Sequence, residues 1–184
     1  MRKYGLVEAL KTLRLNRDRL HYWIKYQRLT MPIEPGKGRG AKTKLSFENL
    51  FELTMARELS DLGIELNVIK GMLETQYDGL NEEGKPDSNI KVSFAKYAME
   101  KYETKTISGT KEECLFLQFT KHPIKEHQFL FTEIEFEPDL GKAIERNMYG
   151  DYRRASIILD VFGILEELEK ATGEKVWEIL GEPQ

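Results

Sequence analysis

A chain of 184 residues is long enough to bury a core without disulfides or metal, and its nine Phe, eight Tyr and two Trp exclude disorder over most of its length. No apolar run reaches the roughly 18 residues that cross a bilayer. The start MRKYGLVEALKTLRL has no signal-peptide core, and the single Cys114 has no internal partner, so the expected location is a reducing cytoplasm without membrane contact. The formal net charge of −3 conceals an asymmetry: residues 1–45 hold twelve Lys and Arg against Glu8, Asp18 and Glu34, a net +9, while the rest hold sixteen against twenty-eight, a net −12. A basic end on an acidic body suggests that this end meets a polyanion, although a solvated basic face has the same composition.

Leu6, Val7, Leu10 and Leu13 have the spacing of a helix over 5–13. Asn16 suits the N-cap of a second helix over about 17–28, whose apolar stripe is Leu20, Trp23 and Ile24. The turn between them is about three residues, as in a helix-turn-helix. From Pro32 to Lys44, Pro35, Gly36, Gly38 and Gly40 break any helix, and Lys37, Arg39, Lys42 and Lys44 recur between small residues, which predicts a tight basic hairpin. Ser46 and Asn49 open a third helix that runs to about Leu62 and stops at Gly63. A fourth, over about 65–76, turns Leu66, Ile69, Met72 and Leu73 inward. The polar stretch DGLNEEGKPDSN, residues 78–89, reads as a linker between a unit at 1–77 and another at 90–184.

In the second half, residues 93–102 suit a helix, and 114–120 and 128–136 suit two strands around Pro123. Residues 153–171 read as one helix whose broad apolar face carries Ile157, Ile158, Val161, Phe162, Leu165 and Leu168. That face must bury against the sheet, a partner subunit or both, and it is the expected dimerisation surface. Phe116, Phe119, Phe129, Phe131 and Phe136 fit a plain core better than a ligand pocket. The histidines His21, His122 and His127 have no metal-ligand spacing, and Cys114 has no basic neighbour placed to activate it. Glu133 and Glu135 share one strand face, where solvation is the common role. Neither an enzyme nor a metal or cofactor is expected.

The order helix, short turn, helix, basic hairpin, helix, helix is that of a winged helix-turn-helix. Asn16-Arg17-Asp18-Arg19-Leu20-His21-Tyr22-Trp23 resembles the recognition helix of MerR-family transcriptional regulators. Gly36 to Lys44 with Leu45-Ser46-Phe47-Glu48-Asn49-Leu50 resembles that family's wing and third helix, and Leu62-Gly63-Ile64-Glu65-Leu66 with Ile69 and Leu73 its fourth. The resemblance covers residues 4–75. The chain departs from it with His21 where the family usually has Arg, and with Gln27-Arg28-Leu29 where it has a Gly-Leu pair.

The expected protein is therefore mainly α with a small β element (α+β), a winged helix-turn-helix followed by a small sheet and a C-terminal dimerisation helix. Its expected role is that of a DNA-binding transcriptional regulator associated with the nucleoid, acting as a homodimer on a two-fold operator in double-stranded DNA. Arg17 and Arg19 would read or anchor in the major groove, with Asn16, His21, Tyr22 and Lys25 in support. Lys37, Arg39, Lys42 and Lys44 would hold the flanking backbone. An effector ligand is left open. The alternatives are a protein-interaction adaptor on the same fold and an architectural DNA-binding protein without an operator.

Overall fold

The computed structural model describes residues 2–36, 42–81, 86–108, 116–121, 129–134 and 156–180. Strand β1 (Tyr4–Gly5) leads into α1 (Leu6–Leu13), which buries Ala9 and Leu13 and ends at Arg14. Asn16 caps α2 (Arg17–Tyr22), its Oδ1 accepting the Arg19 N–H at 2.7 Å. The helix continues as a π-helical turn over Trp23–Gln27 and ends at Arg28. Leu20 and Trp23 are buried beneath it, as their spacing predicts. Arg57 on the next helix ties the end of α1 in place, its Nη1 donating to the Leu13 carbonyl at 2.7 Å.

Strand β2 (Lys44–Leu45) pairs antiparallel with β1, Tyr4 opposite Leu45 and Gly5 opposite Lys44. On its other side Lys44 exchanges backbone hydrogen bonds with Glu34, at 2.9 and 3.3 Å. The segment between Glu34 and Lys44 is thus closed at its base, as a hairpin requires. Residues 37–41 of the expected hairpin, with Lys37 and Arg39, lie outside the described residues. Helix α3 (Phe47–Asp61) starts with a reciprocal capping box, Ser46 Oγ accepting from the Asn49 N–H and Asn49 Oδ1 from the Ser46 N–H. Gly63, at φ +87°, turns the chain into α4 (Leu66–Glu74).

The expected linker is in large part a β-hairpin. Strands β3 (Gln76–Leu80) and β4 (Pro86–Ser93) pair antiparallel, with Tyr77 opposite Val92 and a register shift after Asp78. Tyr77, Gly79 and Val92 are the buried residues of this ribbon, while most of the remaining positions are polar and at least partly exposed. That composition is also what a linker has. Tyr77 packs on Phe94 and stacks on Tyr97, with ring centroids 5.6 and 4.9 Å away, both residues of α5 (Phe94–Ser108).

Strands β5 (Phe116–Lys121) and β6 (Phe129–Ile134) form the expected antiparallel pair, and β7 (Ser156–Asp160) adds to the other edge of β5, giving the order β6-β5-β7. Here the single helix expected over 153–171 is corrected. Residues 156–160, with Ile157 and Ile158, are strand, and the helix α6 (Val161–Thr172) begins only after Asp160, whose carboxylate accepts the Gly163 N–H at 3.0 Å. An Ile-Ile-Leu run closed by an N-cap residue is β-branched and continuously apolar, which fits a strand before a capped helix. A short helix α7 (Val176–Leu180) follows.

The dimerisation assignment changes with it. Val161, Phe162, Leu165 and Leu168 are at most 3% exposed, buried by the chain itself against α1, α3 and α5. Tyr102 of α5 meets Phe162 edge to face at 5.5 Å, and Phe51 of α3 stacks on Phe94 at 6.1 Å. One hydrophobic cluster runs from Tyr4 through Trp23 and Phe51 to Phe162 and Val176, so the segments on either side of residues 78–89 share a core. The architecture is mainly helical with small antiparallel sheets, an α+β arrangement. Among the described residues no helix is long and apolar enough to cross a membrane.

Candidate nucleic-acid interface

Successive turns of α2 and its π-helical extension place Arg17, His21 and Lys25 along one face, and Arg28 follows at its end. All four are exposed. They form one wall of an open cleft of about 1280 Å³. Lys3, Val7 and Lys11 form a second wall at β1 and α1, and Lys42, Thr43 and Lys44 a third at the hairpin base. Seven Lys and Arg side chains and His21 line this space against one carboxylate, Glu8, which is itself paired with Arg2. Of the seven, Lys3 is paired with Glu34, and its ammonium holds the Glu34 carboxyl below the usual range.

Arg19 does not belong to this face. Its Nη2 lies 2.6 Å from Asp61 Oδ1 and its guanidinium sits over the Trp23 ring, 4.5 Å from the centroid. Positions two apart on a helix point in nearly opposite directions, so Arg17 lines the cleft and Arg19 does not. The pairing of Arg17 with Arg19 as joint readers is corrected accordingly. Asn16 is exposed, but its Oδ1 is engaged in the cap.

A neighbouring face of the same helix is aromatic. Tyr22 is 46% and Tyr26 63% exposed, their rings 5.9 Å apart, with His21 at 6.1 Å from Tyr26 and Lys25 Nζ 5.4 Å over it. The Tyr22 hydroxyl accepts a bond from the Gln27 amide. Tyr26, Arg28, Lys3 and Lys11 were missed by sequence reasoning. For Tyr26 and Arg28 the signal was available, since both extend the exposed faces that Tyr22 and Arg17 begin. Lys3 and Lys11 reach the cleft only through the packing of β1 and α1.

A polar clasp holds the chain where it leaves this helix. The Thr30 hydroxyl donates to Glu52 Oε2, and Asn49 Nδ2 donates to Thr30 Oγ1 at 2.6 Å and to the Met31 carbonyl at 3.1 Å. Burial raises the Glu52 carboxyl to about 7, against the lowering effect of its bonds from Thr30 and Asn49. On the opposite side, the buried Tyr4 hydroxyl donates to Glu174, and Arg2 bonds the Thr172 carbonyl at 2.9 Å, so β1 is fastened to the end of α6. Burial and then the Glu174 bond push the Tyr4 hydroxyl well above its usual range.

The arrangement can hold an extended polyanion: its permanent cations come from three separate segments around one concavity. No protein-family model matches the chain, and no curated protein matches it either.

Proposed function

We propose that the protein is a DNA-binding transcriptional regulator built on a winged helix-turn-helix like that of the MerR family. The observation that carries this reading is the cationic cleft between α1, α2 and the base of the 34–44 hairpin. Leaving aside the paired Lys3, six Lys and Arg face one already paired carboxylate and repel one another, and a phosphodiester backbone supplies anions at regular spacing. Arg17 and His21 on α2 and Lys25 on its π-helical extension face the major groove in this reading, and Lys42 and Lys44 hold the backbone beside it. Arg19 and Trp23 brace the helix from behind. A two-fold operator calls for a homodimer, which must use a surface other than the buried face of α6.

The test is selection of the purified protein on a random-sequence duplex library, followed by sequencing, at two salt concentrations. Recovery of a two-fold symmetric motif is the expected result. Salt-sensitive binding without a motif would replace the regulator by an architectural role, and no binding at low salt would overturn the nucleic-acid reading.

A second reading has one specific observation in its favour. Val7 and Met31 are 69% and 74% exposed on the walls of the same cleft, apolar contacts that a phosphate backbone does not need. An adaptor binding an acidic, partly apolar protein segment would use them. It predicts no duplex binding at any salt.

A further inference from the structure

We propose that Arg28 is a phosphate contact, kept at its position against a backbone preference for glycine. The inference rests on the DNA-binding reading and names one more residue of the same site. Arg28 ends the recognition-side helix with φ +51° and ψ +45°, its N–H closing on the Trp23 carbonyl. This left-handed conformation is crowded for any residue with a Cβ, and a helix that ends this way usually carries glycine there. Among the described residues only Arg14 and Arg28 adopt a positive φ without being glycine.

Inside the fold the cost at Arg28 is offset only by the attraction of its charge to the C-terminal end of the helix dipole. The residue is exposed, and among the described residues its guanidinium has no hydrogen bond, ion pair or ring partner. It lines the cationic cleft beside Arg17, His21 and Lys25. Backbone strain held at a position whose side chain has no polar or ring partner among the described residues, and which faces a cationic cleft, is the pattern of a residue retained for what it binds. Its place at the C-terminal end of the helix argues for phosphate over base: in a groove-bound recognition helix the N-terminal residues meet base edges. Arg14 supplies the internal comparison. It has the same φ of +51° and ends α1, but it does not line the cleft.

The experiment compares Arg28→Gly, Arg28→Asn and Arg28→Lys with Arg14→Gly in the full chain. Thermal unfolding is measured alongside binding to a selected duplex and to a random duplex over a salt series. Arg28→Gly should raise Tm by about 2–4 °C, because the strain is released. The same variant should bind both duplexes on the order of tenfold more weakly, and the slope of log K against log salt should shrink by about 0.9, one phosphate neutralised. Arg28→Asn, neutral but tolerant of this conformation, should lose the same binding, and Arg28→Lys should keep the slope. Arg14→Gly should gain stability with binding unchanged.

Unchanged affinity and slope in Arg28→Gly, in a wild-type protein that binds duplex, would overturn this inference and leave the DNA-binding reading standing. A loss confined to the selected duplex would overturn the phosphate role. A wild-type protein that binds no duplex at low salt would overturn both.

Discussion

Replacing Glu52 by Gln should stabilise the protein above pH 7 and flatten its stability profile below. In the fold, burial lifts this carboxyl from 4.5 to about 7, the nearby Glu48 adding to the rise. The folded protein therefore holds the proton more tightly than the unfolded chain. The stability this contributes is fully present below about pH 4.5 and is lost as pH rises through about 7. One pKa unit corresponds to about 1.4 kcal/mol, so the whole span is worth at most ~3.5 kcal/mol. Gln keeps an oxygen to accept the Thr30 hydroxyl and carries no charge to desolvate. In a chain of this size ~1 kcal/mol moves Tm by about 2–4 °C, so at pH 8 the variant should melt roughly 3–10 °C above wild type. Near pH 4.5 the two should coincide. Calorimetric melts at half-unit steps across this range supply the measurement. Burial also raises Glu48 and Glu103, while the bond from Lys3 lowers Glu34, so the readout is the difference between the two proteins. Parallel profiles from pH 4.5 to 8 would refute the reasoning, because Glu52 would then ionise in the fold without penalty.

Arg17→Ala should weaken binding to a selected duplex by ~1–3 kcal/mol and affect a random duplex less, as read in a titration of both; equal losses would reduce Arg17 to a phosphate contact. Arg19→Ala should instead lower stability by about 1 kcal/mol, through its partly exposed Asp61 pair and its contact with Trp23, and urea unfolding checks this. A larger binding defect for Arg19→Ala than for Arg17→Ala would reverse their assigned roles. Leaving aside the paired Lys3, the six remaining Lys and Arg of the cleft predict a salt slope of about −5 per protomer, measured by fluorescence anisotropy. A slope near −1 would mean that most of them face solvent in the complex. Phe162→Ala should cost ~3–5 kcal/mol in urea unfolding and leave the oligomeric state of the folded protein unchanged in sedimentation. Dissociation without unfolding would return that helix to an interface.

Local signals carried the first half of the chain well. Asn16 and the Ser46–Asn49 pair mark helix starts by a chemistry that needs only three residues of context, and both caps form. Gly63 ends α3 for an equally local reason. The face of α2 was legible in principle, since the spacing of Arg17, His21 and Lys25 already separates them from Arg19; two basic residues two positions apart were read together where their helical angle sets them apart. The second half turned on contacts between distant segments. Gln76–Leu80 and Pro86–Ser93 look like a linker because their apolar partners, Phe94 and Tyr97, lie on a different element. Ile157 and Ile158 continue the apolar stripe of the following helix in sequence, and only the pairing of Ile157 with Phe119 and Ile158 with Gln118 makes them strand. The Glu52–Thr30–Asn49 clasp has no sequence signature, because it joins residues about twenty apart through side chains common anywhere.

The shared core bears on how the candidate interface is held. Leu20 and Trp23, on the underside of α2, belong to the same cluster as Phe51, Phe94 and Phe162. Strand β1 presents Lys3 beside the cleft and pairs with Lys44 and Leu45, while Tyr4 and Arg2 fasten it to Glu174 and Thr172 at the end of α6. A fragment ending at residue 77 would keep every cleft cation. It would also lose the Tyr4 partner Glu174 and expose the sides of Phe51 that face Phe94, together with the surface of α3 against which α6 packs. The basic surface is thus a property of the whole chain. Its walls rest on α1, α3 and α6, which pack on one another; in the DNA-binding reading proposed above, a cleft held in place this way leaves less conformational freedom to lose on binding.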